Sequence, residues 1–521
     1  MLRSPDSPRG IGILLTPIVF TAFLLLPLAG QFLDLHIYSG VEEKRDKVKW
    51  PGIPEDLAGL DAFPAAFDAY YSDQFGMRGD FITWHNLLLY STTHTLPGNR
   101  VIAGKGRWLF ANFDDSLESF QHRIPLRSPA ELEVLAHRIR QRQDWLAAQG
   151  KTYLFFVTPA KSTIYPDRMP DRLRISSGRT RLEQARAWFA KHPDIAFHDT
   201  TAAIRRARKL AIDANVDATL YHYTDTHWNA LGSYAAFQDV IGHLRRTHPD
   251  QPDLPRALGI EMFAFTRKAG MPGDLSRMAG IGSLVTEVDY ICLDHLLYYK
   301  MDPIPGIGQR SFHISSRWKH LPDLMLFHDS FGESLRLPMS NAAKESWFFW
   351  THDFRTDLIG KHDPRIVMTQ ITERFFNRHT VENPVSIRLL DPEKTRSEWK
   401  GRGDPELSEI RFGSGLVLQA AELRRSDEDL EVRLLWRAER DIVLDGSYDT
   451  CVRKDDWSWY STLHRHQCIE ASHVVQGSLW EDRIVFPAED LRDCESFVLR
   501  VEGTADLAVP KTRFTTVRHP D

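Results

Sequence analysis

Apolar residues fall into three regimes along this chain. Between Arg9 and Asp34 there is no charge, and Ile11 to Leu28 is almost wholly apolar. That length spans a bilayer as a helix. Pro17 and Pro27 interrupt it, which membrane helices tolerate better than soluble ones. Arg3 and Arg9 precede the run, so the positive-inside rule leaves the N-terminus in the cytoplasm and exports the bulk of the chain. A signal peptide cut near Ala29-Gly30 is the rival reading, and a mature protein starting near Gln31 would favour it. Residues 34–60 are mixed and charged, with Glu42-Glu43-Lys44-Arg45-Asp46-Lys47, and read as a spacer.

From about residue 61 to 400, helical and strand patterns alternate. The periodicity predicts helices over Ala130 to Gly150, with the glycine as C-cap, over Arg179 to Lys191, and over Ala230 to Arg246, with Asn229 as candidate N-cap. Short apolar runs predict strands at Thr152–Val157, Ile195–His198, Leu324–Phe327, Ser346–Trp350 and Ile366–Thr369. This alternation predicts an α/β fold, a parallel sheet flanked by helices.

After about residue 405 the long helical patterns stop. Leu430–Trp436, Asp441–Leu444, Arg483–Phe486 and Phe497–Val501 are short apolar or alternating runs separated by turn residues. They predict a small C-terminal β-sandwich over 405–521, jelly-roll-like in pattern. The organisation is thus a cytoplasmic stub and anchor (1–33), a spacer (34–60), an α/β domain (61–400) and an accessory β domain (405–521).

At 521 residues, with 42% hydrophobic and 26% charged residues, the chain has material for more than one core. The net charge of −5 gives no reason to expect nucleic acid. Three of the four cysteines, Cys451, Cys468 and Cys494, lie in the last quarter, where export would allow a disulfide among them; Cys292 stands apart as a buried thiol.

The candidate chemistry is concentrated in two blocks. Tyr223-Thr224-Asp225-Thr226-His227-Trp228-Asn229 supplies a carboxylate and an imidazole, and His328-Asp329-Ser330-Phe331 supplies a hydroxyl. A serine hydroxyl needs a base within hydrogen-bond reach, and the base needs a partner that fixes its tautomer. Ser330, His227 and Asp225 fit nucleophile, base and orienter. Ser330 follows a strand and precedes Gly332, a turn whose backbone N–H groups would face an oxyanion. Each residue also has a plain structural reading: Ser330 as an N-cap, Asp225 as a cap beside an exposed His227. His222, Asp225 and His227 have the residue types of a metal site, but no further ligand cluster has comparable spacing. Trp228 and Asn229 beside the histidine, with Lys161, Tyr165 and Arg374 near strand ends, are the candidates for holding substrate. Core packing, helix capping and surface ion pairing are their structural alternatives.

These blocks resemble the alginate O-acetyltransferases of the AlgJ/AlgX type, an SGNH-hydrolase-like family in which an Asp-x-His-Trp block precedes the serine block. The likeness extends through Phe67-Asp68-Ala69-Tyr70-Tyr71-Ser72-Asp73-Gln74-Phe75-Gly76-Met77-Arg78, Gly104-Lys105-Gly106-Arg107-Trp108, Pro159-Ala160-Lys161, Gly273-Asp274-Leu275 and Glu373-Arg374, covering roughly residues 60–380. It departs at His328, where SGNH proteins usually carry the glycine of Gly-Asp-Ser. The resemblance implies an SGNH-hydrolase-like catalytic domain and an O-acetyltransferase that acylates exopolysaccharide hydroxyls through an acetyl-serine. With the N-terminal run read as an anchor, this makes a single-pass protein of the bacterial inner membrane with its catalytic domain in the periplasm, and no cofactor or metal is implied. Acetyl-CoA does not reach that compartment, so a membrane-bound O-acyltransferase partner would deliver the acetyl group. A carbohydrate acetylesterase with the same triad and a non-catalytic polysaccharide-binding scaffold are the alternatives.

Overall fold

The computed structural model describes residues 9–33, most of 48–378 and, between 397 and 516, chiefly strand segments. Helix α1 runs Arg9–Leu33 with both prolines inside it. Among the fully described residues no helix is long and apolar enough to cross a membrane. The anchor expected over residues 11–28 overlaps the part of α1 described by its backbone alone. Helix α2 (Leu57–Gln74) starts inside the expected spacer, capped by Asp56, whose side chain accepts from the Gly59 N–H, and α3 (Arg78–Thr93) follows.

The α/β unit is built on a seven-stranded sheet. Its strands are β1 (Thr152–Thr158), β2 (Phe197–Asp199), β3 (Tyr298–Ile304), β4 (Ser311–Ser316), β5 (Leu324–His328), β6 (Glu345–Trp350) and β7 (Ile366–Thr372). They lie in the order β2-β1-β7-β5-β6-β4-β3. The pairings from β2 through β6 are parallel. β4 then runs antiparallel to β6, and β3 antiparallel to β4. The sheet is therefore mixed, and the expectation of a parallel sheet is corrected at this edge.

The central strands are continuous apolar runs because both faces are covered. Leu154, Phe156, Leu326 and Met368 join one core with Phe237 and Ile241 of helix α7 (Ala230–Thr247). Their alternates Phe155, Val157, Met325, Phe327 and Val367 join a second core. That core includes Leu135 and Ile139 of α4 (Pro129–Ala147) and Phe189 of α5 (Arg181–Phe189). Ser128 with Glu131, and Thr180 with Glu183, form capping boxes that start α4 and α5, and Asn229 caps α7. Helix α6 (Thr201–Asp213) follows β2.

Parallel pairing of β1, β7 and β5 brings three C-terminal strand ends together, where open α/β sheets place their ligands. The segments beginning at Pro159, Asp329 and Glu373 leave from this edge.

Past residue 400 the described segments are strands. Leu416–Arg425, Asp429–Ala438 and Leu479–Pro487 form an antiparallel group around buried Leu430, Val432, Leu434 and Trp436. A second sheet joins Ser447–Arg453, Thr462–Gln467, Ser496–Val501 and Leu507–Pro510. The cysteine side chains lie outside the described residues, and the disulfide expectation with them.

Candidate active site

The Asp225 loop is held by buried charges. Glu287, 3% exposed, accepts the Tyr223 and Thr224 backbone N–H groups (3.0 and 2.6 Å) and the Thr224 hydroxyl (2.6 Å). The Lys161 ammonium donates to the carbonyls of Leu109, Tyr223 and Asp225 at 2.6, 2.8 and 2.9 Å. Burial pulls its pKa down to about 7 against the carboxylates of Glu287, Asp225 and Asp274. The Gly273-Asp274 turn docks on the same loop. Thr226 donates its N–H and hydroxyl to Asp274 (2.8 and 2.7 Å), and the Asp274 N–H returns a bond to Asp225 Oδ2 (2.8 Å). A Cβ on Gly273 would overlap the Thr224 carbonyl and the Asp225 nitrogen, so only glycine admits this approach.

On this frame Asp225 and His227 form one arm of the site. Asp225 Oδ1 accepts from His227 Nδ1 at 2.6 Å and from the His227 backbone N–H at 2.9 Å. An ionised carboxylate only accepts, so Nδ1 carries the proton and Nε2 is left as acceptor. Ser330, delivered by β5, places its Oγ 2.7 Å from that Nε2. Residues 103 apart in sequence thus form an unbroken hydroxyl–imidazole–carboxylate relay. Burial lowers the proton affinity of His227, but the hydrogen bond and charge of Asp225, with the charge of Asp274, outweigh it and raise the pKa above its ordinary 6.5. Burial likewise raises that of Asp225, and His227 outweighs it, holding the carboxyl well below the usual range.

His328 fills the place where the glycine of Gly-Asp-Ser would stand. It is fully buried at the end of β5, and its Nδ1–H donates to the Asp329 carbonyl at 2.6 Å. Burial lowers its pKa to about 4, so the ring is neutral. Gly332 fits against this ring, where a Cβ would overlap it. Asp329 is also buried. Its carboxylate accepts from the N–H groups of Phe331 (2.9 Å) and Thr372 (2.6 Å), tying the serine turn to β7.

The five supporting candidates separate on burial. Trp228 is fully buried and donates Nε1–H to the Phe331 carbonyl at 3.0 Å, so it joins the histidine loop to the serine turn from inside the core. Asn229 caps α7 and donates to the Thr219 carbonyl at 2.6 Å. The Tyr165 hydroxyl accepts from the Leu220 N–H at 2.9 Å beneath the Arg208 guanidinium. Lys161 is bound as described above. These four hold the scaffold. Arg374 lines a cavity of about 30 Å³ with Thr226, Phe331, Thr372, Ala160 and Lys161.

Asp274 and Glu287 were not among the candidates. Asp274 sits in one of the quoted blocks, yet nothing in its local sequence says that it docks on the Asp225 loop, and Glu287 carries no signal. Asp225, His227 and Asp274 are close enough to share a divalent ion. Asp274 stands in that trio in place of His222, which lies 3.6 Å from Asp289. The trio's ligand atoms are already engaged in hydrogen bonds with one another, with Thr226 and with Ser330.

Residues 101–293, which carry Asp225 and His227, match a family model described as an SGNH hydrolase-like domain, acetyltransferase AlgX. Probable alginate O-acetylase AlgJ of Pseudomonas aeruginosa is 29% identical over 188 residues, 35% of this chain and 42% of the relative's own length. The protein of that name from Pseudomonas syringae pv. tomato is 27% identical over 338 residues, 60% of this chain and 78% of the relative. Among solved structures, the O-acetyltransferase domain of Pseudomonas putida AlgJ is covered to 99% by 58% of this chain, at 17% identity and a TM-score of 0.33. The class that residues 101–293 match is thus that of the SGNH hydrolase-like acetyltransferases. The chain is a distant homologue of the AlgJ/AlgX family, whose members here are named probable alginate O-acetylases.

Proposed function

We propose that the chain is a polysaccharide O-acetyltransferase working through an acetyl-serine on Ser330. The observation that carries this reading is the relay from Asp225 through His227 to Ser330, with links of 2.6 and 2.7 Å. The Ser330 hydroxyl attacks the acetyl carbonyl as its proton passes to His227 Nε2. The tetrahedral intermediate collapses, and His227 returns the proton to the departing donor. A sugar hydroxyl then enters, gives its proton to His227 and takes the acetyl group, restoring Ser330. Asp225 fixes the ring and stabilises the imidazolium.

The remainder of the reading follows the family likeness and the amino-acid pattern. The acceptor is an exopolysaccharide, and the catalytic domain stands in the periplasm on an N-terminal inner-membrane anchor. A membrane-bound O-acyltransferase partner passes the acetyl group across, and the C-terminal β-sandwich binds or guides the polymer. The domain boundaries near residues 60 and 400–405 belong to this proposal.

The test uses the portion from about residue 35, an activated acetyl ester and a panel of oligosaccharides, followed by intact mass spectrometry. Wild type should give an acetyl-enzyme and acetylated sugar, and Ser330→Ala should lose both, with turnover down at least about 10³-fold. Free acetate without acetylated sugar points to an acetylesterase, in which water takes the acceptor's place. Sugar binding without Ser330-dependent turnover points to a scaffold.

A further inference from the structure

The turn after Ser330 does not supply the backbone donors that its sequence suggests. The Phe331 N–H goes to Asp329 Oδ1 (2.9 Å), and the Gly332 N–H to the Asp329 carbonyl (3.1 Å). The surrounding donors are engaged as well. The Thr372 N–H goes to Asp329 Oδ2, the Ala160 N–H to Glu373 Oε2, and the Thr226 N–H and hydroxyl to Asp274. The Ser330 N–H has no such partner among the described residues, so an oxyanion formed there meets one backbone donor and needs a second from elsewhere, because a negative oxygen in a partly dry site is strongly destabilised when under-satisfied.

Arg374 has what the turn lacks. It leaves the C-terminal end of β7, directly after Glu373, whose carboxyl is pinned by the Ala160 N–H (2.8 Å) and the Thr163 hydroxyl (2.6 Å). It borders the cavity that Phe331 of the serine turn, Thr226 of the histidine loop and Thr372 also line. Among the described residues it has no hydrogen-bond or ion-pair partner, and its Nε is buried and unsatisfied. The guanidinium rests on the rings of Phe375 and Phe113, 4.8 and 5.7 Å from their centroids. Arg378, four residues on, shows the ordinary outcome, pairing with Asp114 at 2.7 Å and Asp115 at 3.1 Å. The charge of Arg374 also reaches His227, whose proton affinity it lowers.

We propose that Arg374 is a catalytic residue, the cation that receives the oxyanion when Ser330 attacks the acetyl carbonyl. This rests on the acetyl-serine reading above. In the step, the Ser330 Oγ–carbon bond forms and the hydroxyl proton moves to His227 Nε2. The carbonyl π pair moves onto oxygen, facing the guanidinium. Collapse re-forms the carbonyl and expels the donor's leaving oxygen, which takes the proton from His227. An unpaired cation gains little from a neutral ester and much from the oxyanion, so its effect falls on the transition state.

The experiment compares full-length wild type, Arg374→Met, Arg374→Lys and Ser330→Ala on 4-nitrophenyl acetate, an uncharged ester needing no sugar. Acetyl-enzyme is followed by intact mass, and kcat/KM is measured across pH. The Met variant should lose on the order of 10²–10³-fold in kcat/KM, carried by kcat. Its acid limb should move to higher pH as the cation near His227 disappears. The Lys variant should recover part of the rate and keep the wild-type limb. A Met variant that turns over the neutral ester at the wild-type rate overturns the proposal and leaves Arg374 to an anionic acceptor. Equal loss in folded Met and Lys variants with an unmoved limb also overturns it, by reducing Arg374 to packing. If wild type forms no Ser330-dependent acetyl-enzyme, the underlying function falls, and this role with it; a wild type that forms one while the Met variant matches it brings down this role alone.

Discussion

Asp225 divides its two oxygens between two tasks. Oδ1 takes both N–H groups of His227 that face it, and Oδ2 takes the backbone N–H of Asp274. Asparagine at this position keeps the size and loses both the charge and one acceptor. Asp225→Asn should lower kcat/KM by about 10³–10⁴-fold, because the imidazole can then settle in the wrong tautomer. The pH profile carries a sign as well. His227 acts as base only when neutral, so activity falls as pH drops through its pKa, which the intact site places above 6.5. Removing the Asp225 charge removes an influence that raises that pKa, so the variant's residual activity should persist to lower pH. A kcat/KM profile whose acid limb does not move downward would contradict this assignment. The grouping of Asp225, His227 and Ser330 was legible in the sequence less from their residue types, which also suit caps and turns, than from the surrounding blocks that carry the family resemblance. Trp228, Asn229, Tyr165 and Lys161 were not separable from substrate contacts, since an aromatic or lysine at a strand end reads alike whether it faces a pocket or a core.

Precise placement of that histidine belongs to the elements on which its loop lies. The Gly273-Asp274 turn, the strand carrying Glu287 and the short helix carrying Lys161 converge on residues 223–226 from three sides. Gly273→Ala tests whether this convergence matters. The added methyl meets backbone rather than a flexible side chain, so the turn or the triad loop must shift. A displacement of 1 Å at a catalytic base costs about 10²-fold. Gly273→Ala should therefore lower Ser330-dependent ester turnover by about 10²-fold. Gly79→Ala, in α3 with nothing within 4 Å of the new Cβ, should leave it unchanged. Equal effects in the two variants, measured as initial rates on the same ester, would remove the turn from the mechanism. The elements themselves were unevenly legible. β1, β5 and β7 announce themselves because burial on both faces makes each a continuous apolar run. β3 and β4 lie at an edge and carry Lys300, Asp302, Pro303 and His313, a pattern that suits an edge strand but does not read as one locally. Helix α6 hides behind a basic outer face, with Ala203 and Ile204 inward and Arg205, Arg206 and Lys209 outward.

At the scale of the whole molecule, an ionisable group in the core makes the stability of the catalytic unit depend on pH. Glu373 is 1% exposed where β1 and β7 end, and its Oε1 has no hydrogen-bond partner. Burial raises its pKa from 4.5 to about 7, even though bonds from Thr163 and Ala160 favour the charged form. Between those two pH values the folded chain keeps a proton that the unfolded chain releases. The contribution of this group to stability is therefore fully present below about pH 4.5 and declines as pH rises through 7, by about 1.4 kcal/mol per unit. The full decline is about 3 kcal/mol, a sizeable part of the 5–15 kcal/mol that typically holds a domain folded. Glutamine does not titrate, and its carbonyl can accept the same two bonds. Glu373→Gln should gain stability relative to wild type on going from pH 5 to pH 8, by up to about 3 kcal/mol in urea unfolding followed by tryptophan fluorescence. The comparison between proteins cancels every other titrating group they share. A difference between variant and wild type that is the same at both pH values would mean that Glu373 is ionised in the folded chain throughout.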